Sequence, residues 1–146
     1  MKRFLRVICI VLVFATLCAT TAFAAEQPTS RASNYFSASS VYFSHVSGNQ
    51  YQIWFDVTAK GAMTELGVSK IVVERSTDLV NWTPVRTYNK SDYSQMTTKT
   101  GTAFYANYVT YYPSSGYAYS ATVTLYARNS SGYGEMDTYT AILDLR

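Results

Sequence analysis

At 146 residues the chain is long enough to bury one hydrophobic core of ordinary domain size. It is 48% hydrophobic and 16% aromatic, with fourteen tyrosines, a composition far from that of disordered chains. Its formal charge of +3 comes from the first 24 residues, which hold Lys2, Arg3 and Arg6 and no acid; the remainder balances at nine basic and nine acidic residues. That leaves no basic excess from which to argue for nucleic-acid binding, which needs a cluster of Lys or Arg on one face.

Residues 1–24 have the layout of a cleaved signal peptide. Met1 to Arg6 is a basic leader, Val7 to Leu17 is an apolar run, and Ala22-Phe23-Ala24 supplies the small residues that signal peptidase reads. The run is shorter than the roughly 20 residues a permanent membrane anchor takes. Leu17 stands where a lipoprotein would need a small residue before Cys18. The expectation is secretion, with cleavage before Ala25 and membrane contact only through the leader. Both cysteines, Cys9 and Cys18, leave with it, so the mature domain depends on its core and on no disulfide.

Ala25 to Asn34 is polar and reads as a flexible N-terminal segment, and residues 35–146 form one domain. Tyr35 to Ser44 is aromatic and β-branched and predicts the first strand. After the turn at Ser47-Gly48-Asn49, Tyr51, Ile53, Phe55, Val57 and Ala59 share one face of a second strand, and Gln52, Trp54, Asp56 and Thr58 the other. Gly61 to Gly67 reads as a loop. Val68 to Arg75 is a third strand with Ile71 and Val73 inward. Val80 to Tyr88 is a fourth, placed at a sheet edge because Pro84 has no amide hydrogen to give. Asn89 to Gly101 is polar and reads as a loop, and Thr102 to Val109 alternates again.

The clearest stretch is Tyr117 to Arg128. Apolar or aromatic residues fill every odd position, and Ser120, Thr122, Thr124 and Arg128 stand among the even ones. This is a strand with one face on a core. Asn129-Ser130-Ser131-Gly132 turns the chain into a last strand ending near Leu145. No stretch repeats apolar residues at helical spacing. The fold class is all-β: a single immunoglobulin-like antiparallel β-sandwich of about seven strands.

Two stretches carry a family resemblance. Ile71-Val72-Val73-Glu74-Arg75-Ser76-Thr77-Asp78-Leu79-Val80-Asn81-Trp82-Thr83-Pro84-Val85 is similar to the third and fourth strands of fibronectin type III and related immunoglobulin-like modules. Tyr119 to Gly134 resembles their last two strands, with Tyr117 or Tyr119 where those folds keep a core tyrosine. One departure is that Trp54 lies out of phase with the inward residues of its strand. The mature chain also resembles short secreted proteins of unknown function from Gram-positive bacteria. Neither resemblance implies a catalytic or binding motif, since this architecture hosts many functions.

The residues themselves offer little for catalysis. His45 is the one histidine and has no cysteine partner in the mature chain, and the acids are dispersed. A glycosidase needs two carboxylates about 5–9.5 Å apart across a cleft. Phosphate-loop, calcium-loop and nucleophile-elbow patterns are missing. No catalytic residue, cofactor or metal is therefore expected. Three sequons begin at Asn81, Asn89 and Asn129 and matter only in a host that glycosylates them.

The aromatics are the unusual feature. Trp54 and Tyr126 fall on outward phases, and Tyr111, Tyr112 and Tyr133 fall in turns. Gathered in one place, these five would suit sugar rings or a protein partner. The expectation is a monomeric, non-enzymatic extracellular binding or structural module whose partner is cell-wall glycan or another extracellular protein. The alternatives are a carbohydrate-binding module, a small secreted hydrolase, and self-association through the Pro84 strand or the last strand.

Overall fold

A computed structural model describes residues 34–139 and 142–146; the leader and all but the end of the N-terminal segment lie outside these. Among the described residues nine strands form: β1 (Phe36–Ser47), β2 (Gln50–Met63), β3 (Glu65–Ser76), β4 (Thr83–Asn89), β5 (Thr97–Thr98), β6 (Thr102–Tyr111), β7 (Ala118–Asn129), β8 (Gly132–Tyr139) and β9 (Leu143–Asp144). Every pairing is antiparallel. One sheet runs β1-β2-β6 and the other β4-β3-β7-β8, with β5 on β3 and β9 on β7. No α-helix occurs among the described residues; Ser94–Met96 makes one 3-10 turn. Two of the nine strands are two-residue extensions along existing edges, which is why the count exceeds the seven expected.

The alternation in the sequence sets the layers. Ile53, Phe55 and Val57 of β2 and Ile71 and Val73 of β3 are almost wholly buried, and Val109, Ala121, Val123 and Leu125 join them in one core between the sheets. Burial of this size stabilises by about 1.5–3 kcal/mol for each large aliphatic side chain. Pro84 sits on the edge strand β4, where its missing amide hydrogen costs no ladder bond.

Two predicted loops are corrected. Gly61 to Gly67 is almost entirely strand, since β2 runs to Met63 and β3 starts at Glu65. Gly67 is a strand residue with φ +149°, and a Cβ there would run into the carbonyl oxygen of Met96. The glycine thus lets a neighbouring backbone close on β3 rather than ending the strand. That neighbour lies in the second supposed loop, 89–101. It contains the 3-10 turn and β5, which pairs with Leu66 and Gly67, and it plugs fully buried Met96 into the core. The fourth strand begins at Thr83 rather than Val80. Val80 instead belongs to a hairpin tip held by the Asp78 carboxylate, which accepts from the amides of Val80 and Asn81 and from the Asn81 side chain. These bonds hold the Asp78 carboxyl well below the usual carboxylate range and fix Leu79 at φ +64°.

Tyrosine hydroxyls tie the layers together. Tyr119, 1% exposed, donates to the Ser114 carbonyl (2.9 Å) and accepts from the Ser114 amide (3.0 Å). Tyr88 of β4 donates to the Thr110 carbonyl of β6 (2.8 Å), and Tyr105 of β6 donates to the Gln95 carbonyl (2.7 Å). Both bonds stitch one side of the sandwich shut.

A Gly67→Ala variant combines a collision with fixed backbone and an unfavourable φ. It should lose about 2–4 kcal/mol in urea unfolding. Loss within error of zero would mean that the 3-10 turn and β5 are not docked on β3.

Candidate functional site

The outer face of the β1-β2-β6 sheet is built of rungs, each with one residue per strand. The register aligns Ala38–Thr58–Phe104, Ser40–Asp56–Ala106, Tyr42–Trp54–Tyr108 and Ser44–Gln52–Thr110. One rung is wholly aromatic. Tyr42 and Trp54 are parallel to within 5° with centroids 6.3 Å apart, and Trp54 and Tyr108 are 4.8 Å apart and tilted by 44°.

The two spacings follow from the ladder. The Tyr108 amide donates to the Asn107 side chain and the Thr110 carbonyl accepts from Tyr88. Even-numbered residues of β6 therefore turn their backbone groups away from β2. Trp54–Tyr108 is thus a pair without mutual backbone bonds, the type in which side chains come closest. On β2 the alternation reverses toward β1, so Tyr42–Trp54 is the wider, backbone-bonded type. At 6.3 Å the parallel rings are a wider stacked pair than Trp54 and Tyr108. Trp54 is half-buried, and Tyr42 remains 47% exposed.

Polar groups flank the row. Gln52 accepts the Trp54 indole N–H through its side-chain oxygen (2.9 Å), which fixes the indole and leaves the amide NH₂ on the surface. Asp56 is the only charged residue in the four rungs, and its carboxylate accepts from the amide and hydroxyl of Ser40. Phe104, 56% exposed, lies two rungs away on the same face.

The structure divides the five aromatics singled out in the sequence. Trp54 is on this face. Tyr112, just beyond β6, is 61% exposed. Tyr111 is not in a turn but ends β6, with its ring edge-on to Tyr119 at 5.6 Å. Burial, with the neighbouring Tyr119 and Tyr88 hydroxyls, pushes its phenol up to about 12. Tyr126 does face outward, but on the other sheet, and it is 8% exposed under Tyr133 (6.1 Å, stacked) and Lys90 (Nζ 3.3 Å from the ring centre). Tyr133 belongs to β8 and not to a turn. The five therefore do not converge. Tyr42 and Tyr108, which complete the ladder, lie on outward phases of their strands, but only the register shows that they oppose Trp54.

His45 is exposed, shares a hydrogen bond with the Gly48 carbonyl and packs against Tyr51. An open cleft of about 450 Å³ lies at one end of the sandwich, lined by Thr64, Glu65, Lys99, Arg128, Asn129 and Ser130. Its one carboxylate, Glu65, is already engaged by Lys90 and Thr97. No group of three His, Cys, Asp or Glu side chains suited to a metal ion occurs among the described residues. No protein-family model, no curated protein and no solved structure matches the chain.

Because Tyr111 holds its proton above the usual pH 10 of a phenol, the folded state keeps a proton that the unfolded chain releases. Its contribution should be complete below pH 10 and fall away as pH rises toward about 12. Urea unfolding across that range should show the decline, and Tyr111→Phe should flatten it.

Proposed function

We propose that the chain is a secreted, non-enzymatic, immunoglobulin-like β-sandwich that acts as an extracellular binding module through the outer face of β1-β2-β6. The observation that carries this reading is the Tyr42–Trp54–Tyr108 rung: three aromatic side chains held in line across three strands, with the ring at its β1 end 47% exposed. Exposed aromatic side chains on a rigid sheet give contact area at little cost in side-chain entropy.

The fibronectin type III resemblance is supported at two points. Three strands in one sheet face four principal strands in the other, in the order β1-β2-β6 and β4-β3-β7-β8. Tyr119, near the start of β7, bonds back to the Ser114 backbone, as the corner tyrosine of immunoglobulin-like folds does. The non-enzymatic reading draws on the dispersed acids and on the peripheral position of His45. Secretion rests on the leader read from residues 1–24, and the likeness to short Gram-positive secreted proteins makes the bacterial cell surface the place to look.

Purified protein should bind Gram-positive cells or their isolated walls saturably. Trp54→Ala should weaken that binding at least tenfold at unchanged circular dichroism, while Tyr133→Ala on the opposite sheet should leave it intact. Equal binding by wild type and Trp54→Ala, or none by either, would remove the ladder from any role in recognition.

A further inference from the structure

We infer that the ligand of this face is an uncharged polysaccharide, laid across the strands along the aromatic rung. The inference rests on the binding-module reading above and names the ligand's chemistry. Three properties of the face select that class.

The first is charge. Across four rungs the only residue charged at neutral pH is Asp56, and its carboxylate is taken up by Ser40. These four rungs hold no cation to neutralise a phosphate, sulfate or uronate, and Lys60, on the same phase of β2, lies beyond Thr58 and away from the aromatic rung, so a polyanion laid along that rung gains little there. A neutral ligand, by contrast, has no ion to strip of water when it docks.

The second is the shape of the apolar area. The rings form a strip one rung wide, bordered on one side by Ser44, Gln52 and Thr110. A protein partner of ordinary affinity buries about 800 Å² per side around a broad apolar centre. A narrow strip edged with hydroxyls and an amide suits a chain ligand instead. The C–H face of a pyranose lies on an aromatic ring, and its equatorial hydroxyls reach sideways to polar groups. The free NH₂ of Gln52 is placed to donate to such a hydroxyl because its oxygen is already committed to Trp54.

The third is dimension. Three strands spaced by about 4.8 Å give a row about 10 Å long, enough for about two hexose rings end to end. The ladder therefore reads a short repeat of a linear chain rather than a single sugar or a chain end.

The test is retention of purified protein by a panel of insoluble and soluble glycans. Cellulose, chitin, xylan and β-1,3-glucan represent the neutral class, and alginate and heparin the charged one. At least one neutral polymer should retain the protein, and retention should survive about 0.5 M salt, where charge interactions are screened within a few ångströms. Trp54→Ala and Tyr108→Ala should each weaken retention at least tenfold, and Tyr133→Ala should not. Trp54→Phe keeps a ring without the indole N–H and should retain part of the affinity, so the test survives if the alanine variant misfolds. Affinity for soluble oligosaccharides should rise from one to about two or three units and then level off.

Retention by the polyanions alone, abolished by salt, would overturn the inference, as would neutral-glycan retention indifferent to both ladder variants. Should no glycan bind while Trp54-dependent binding to cells persists and is destroyed by protease, the ligand is a protein. The polysaccharide inference then fails and the binding-module reading stands. Should neither glycans nor cells bind, both fail.

Discussion

Eleven residue pairs join β3 to β7, from Glu65–Arg128 to Ser76–Ala118. On this pair Ile71, Val73, Ala121, Val123 and Leu125 point into the core, and they can leave water only if a second sheet covers them. With no cysteine after Cys18, no disulfide can form within the described residues, so the packing of β2 over this pair has to supply cohesion. Gly67 follows from the same demand. It lets the Met96 segment close over the end of β3, where an open core would otherwise meet solvent. β7 is covered on both faces over much of its length, with Tyr126 and Thr124 shielded on the outer side, as befits the centre of the larger sheet.

The high tyrosine content makes sense as structure before it is considered as function. A phenol packs its ring like phenylalanine and still spends a hydroxyl on a backbone group that would otherwise be unsatisfied. Tyr88, Tyr105 and Tyr119 each do this. The edge strand β6 gains in a second way. Its outward amides at Phe104 and Tyr108 are capped by Thr102 and Asn107, and its Thr110 carbonyl by Tyr88. Capped groups of this kind are poor templates for a further strand, so β6 protects itself against edge pairing without any charged residue. The sheet presenting the ladder thus keeps its face open while one of its edges is closed.

How much of this was legible depends on whether a feature is local. Alternation revealed the inward face of β2, the inward residues of β3 and the whole of β7, because a two-residue period needs no partner to be seen. Pro84 revealed an edge for an equally local reason. Met96 gave no signal: one apolar residue in a polar stretch has no period, and its burial follows from a neighbour thirty residues away in sequence. Gly67 misled, since glycine marks turns and close approaches alike, and only the second applies. Tyr126 was assigned its face correctly and its exposure wrongly, because the shielding groups, Lys90 and Tyr133, arrive from other elements. For the candidate site, phase picked out Trp54, but its companions Tyr42 and Tyr108 depend on register, which a single strand cannot disclose.

β2 also keeps the core and the aromatic rung on separate faces. Its odd residues Ile53, Phe55 and Val57 are buried in the core, while the even residues Gln52, Trp54 and Asp56 lie on the ladder face. A substitution inward creates a cavity costing several kcal/mol, whereas one on the outer face loses mainly cross-strand ring contacts worth about 0.5–1.5 kcal/mol. The ladder can therefore change its residues at little risk to the fold. Conversely, the core fixes the backbone from behind, so the rung needs no loop closure to become ordered. The rings stand in line in the folded chain, and the entropy of ordering them has been spent during folding.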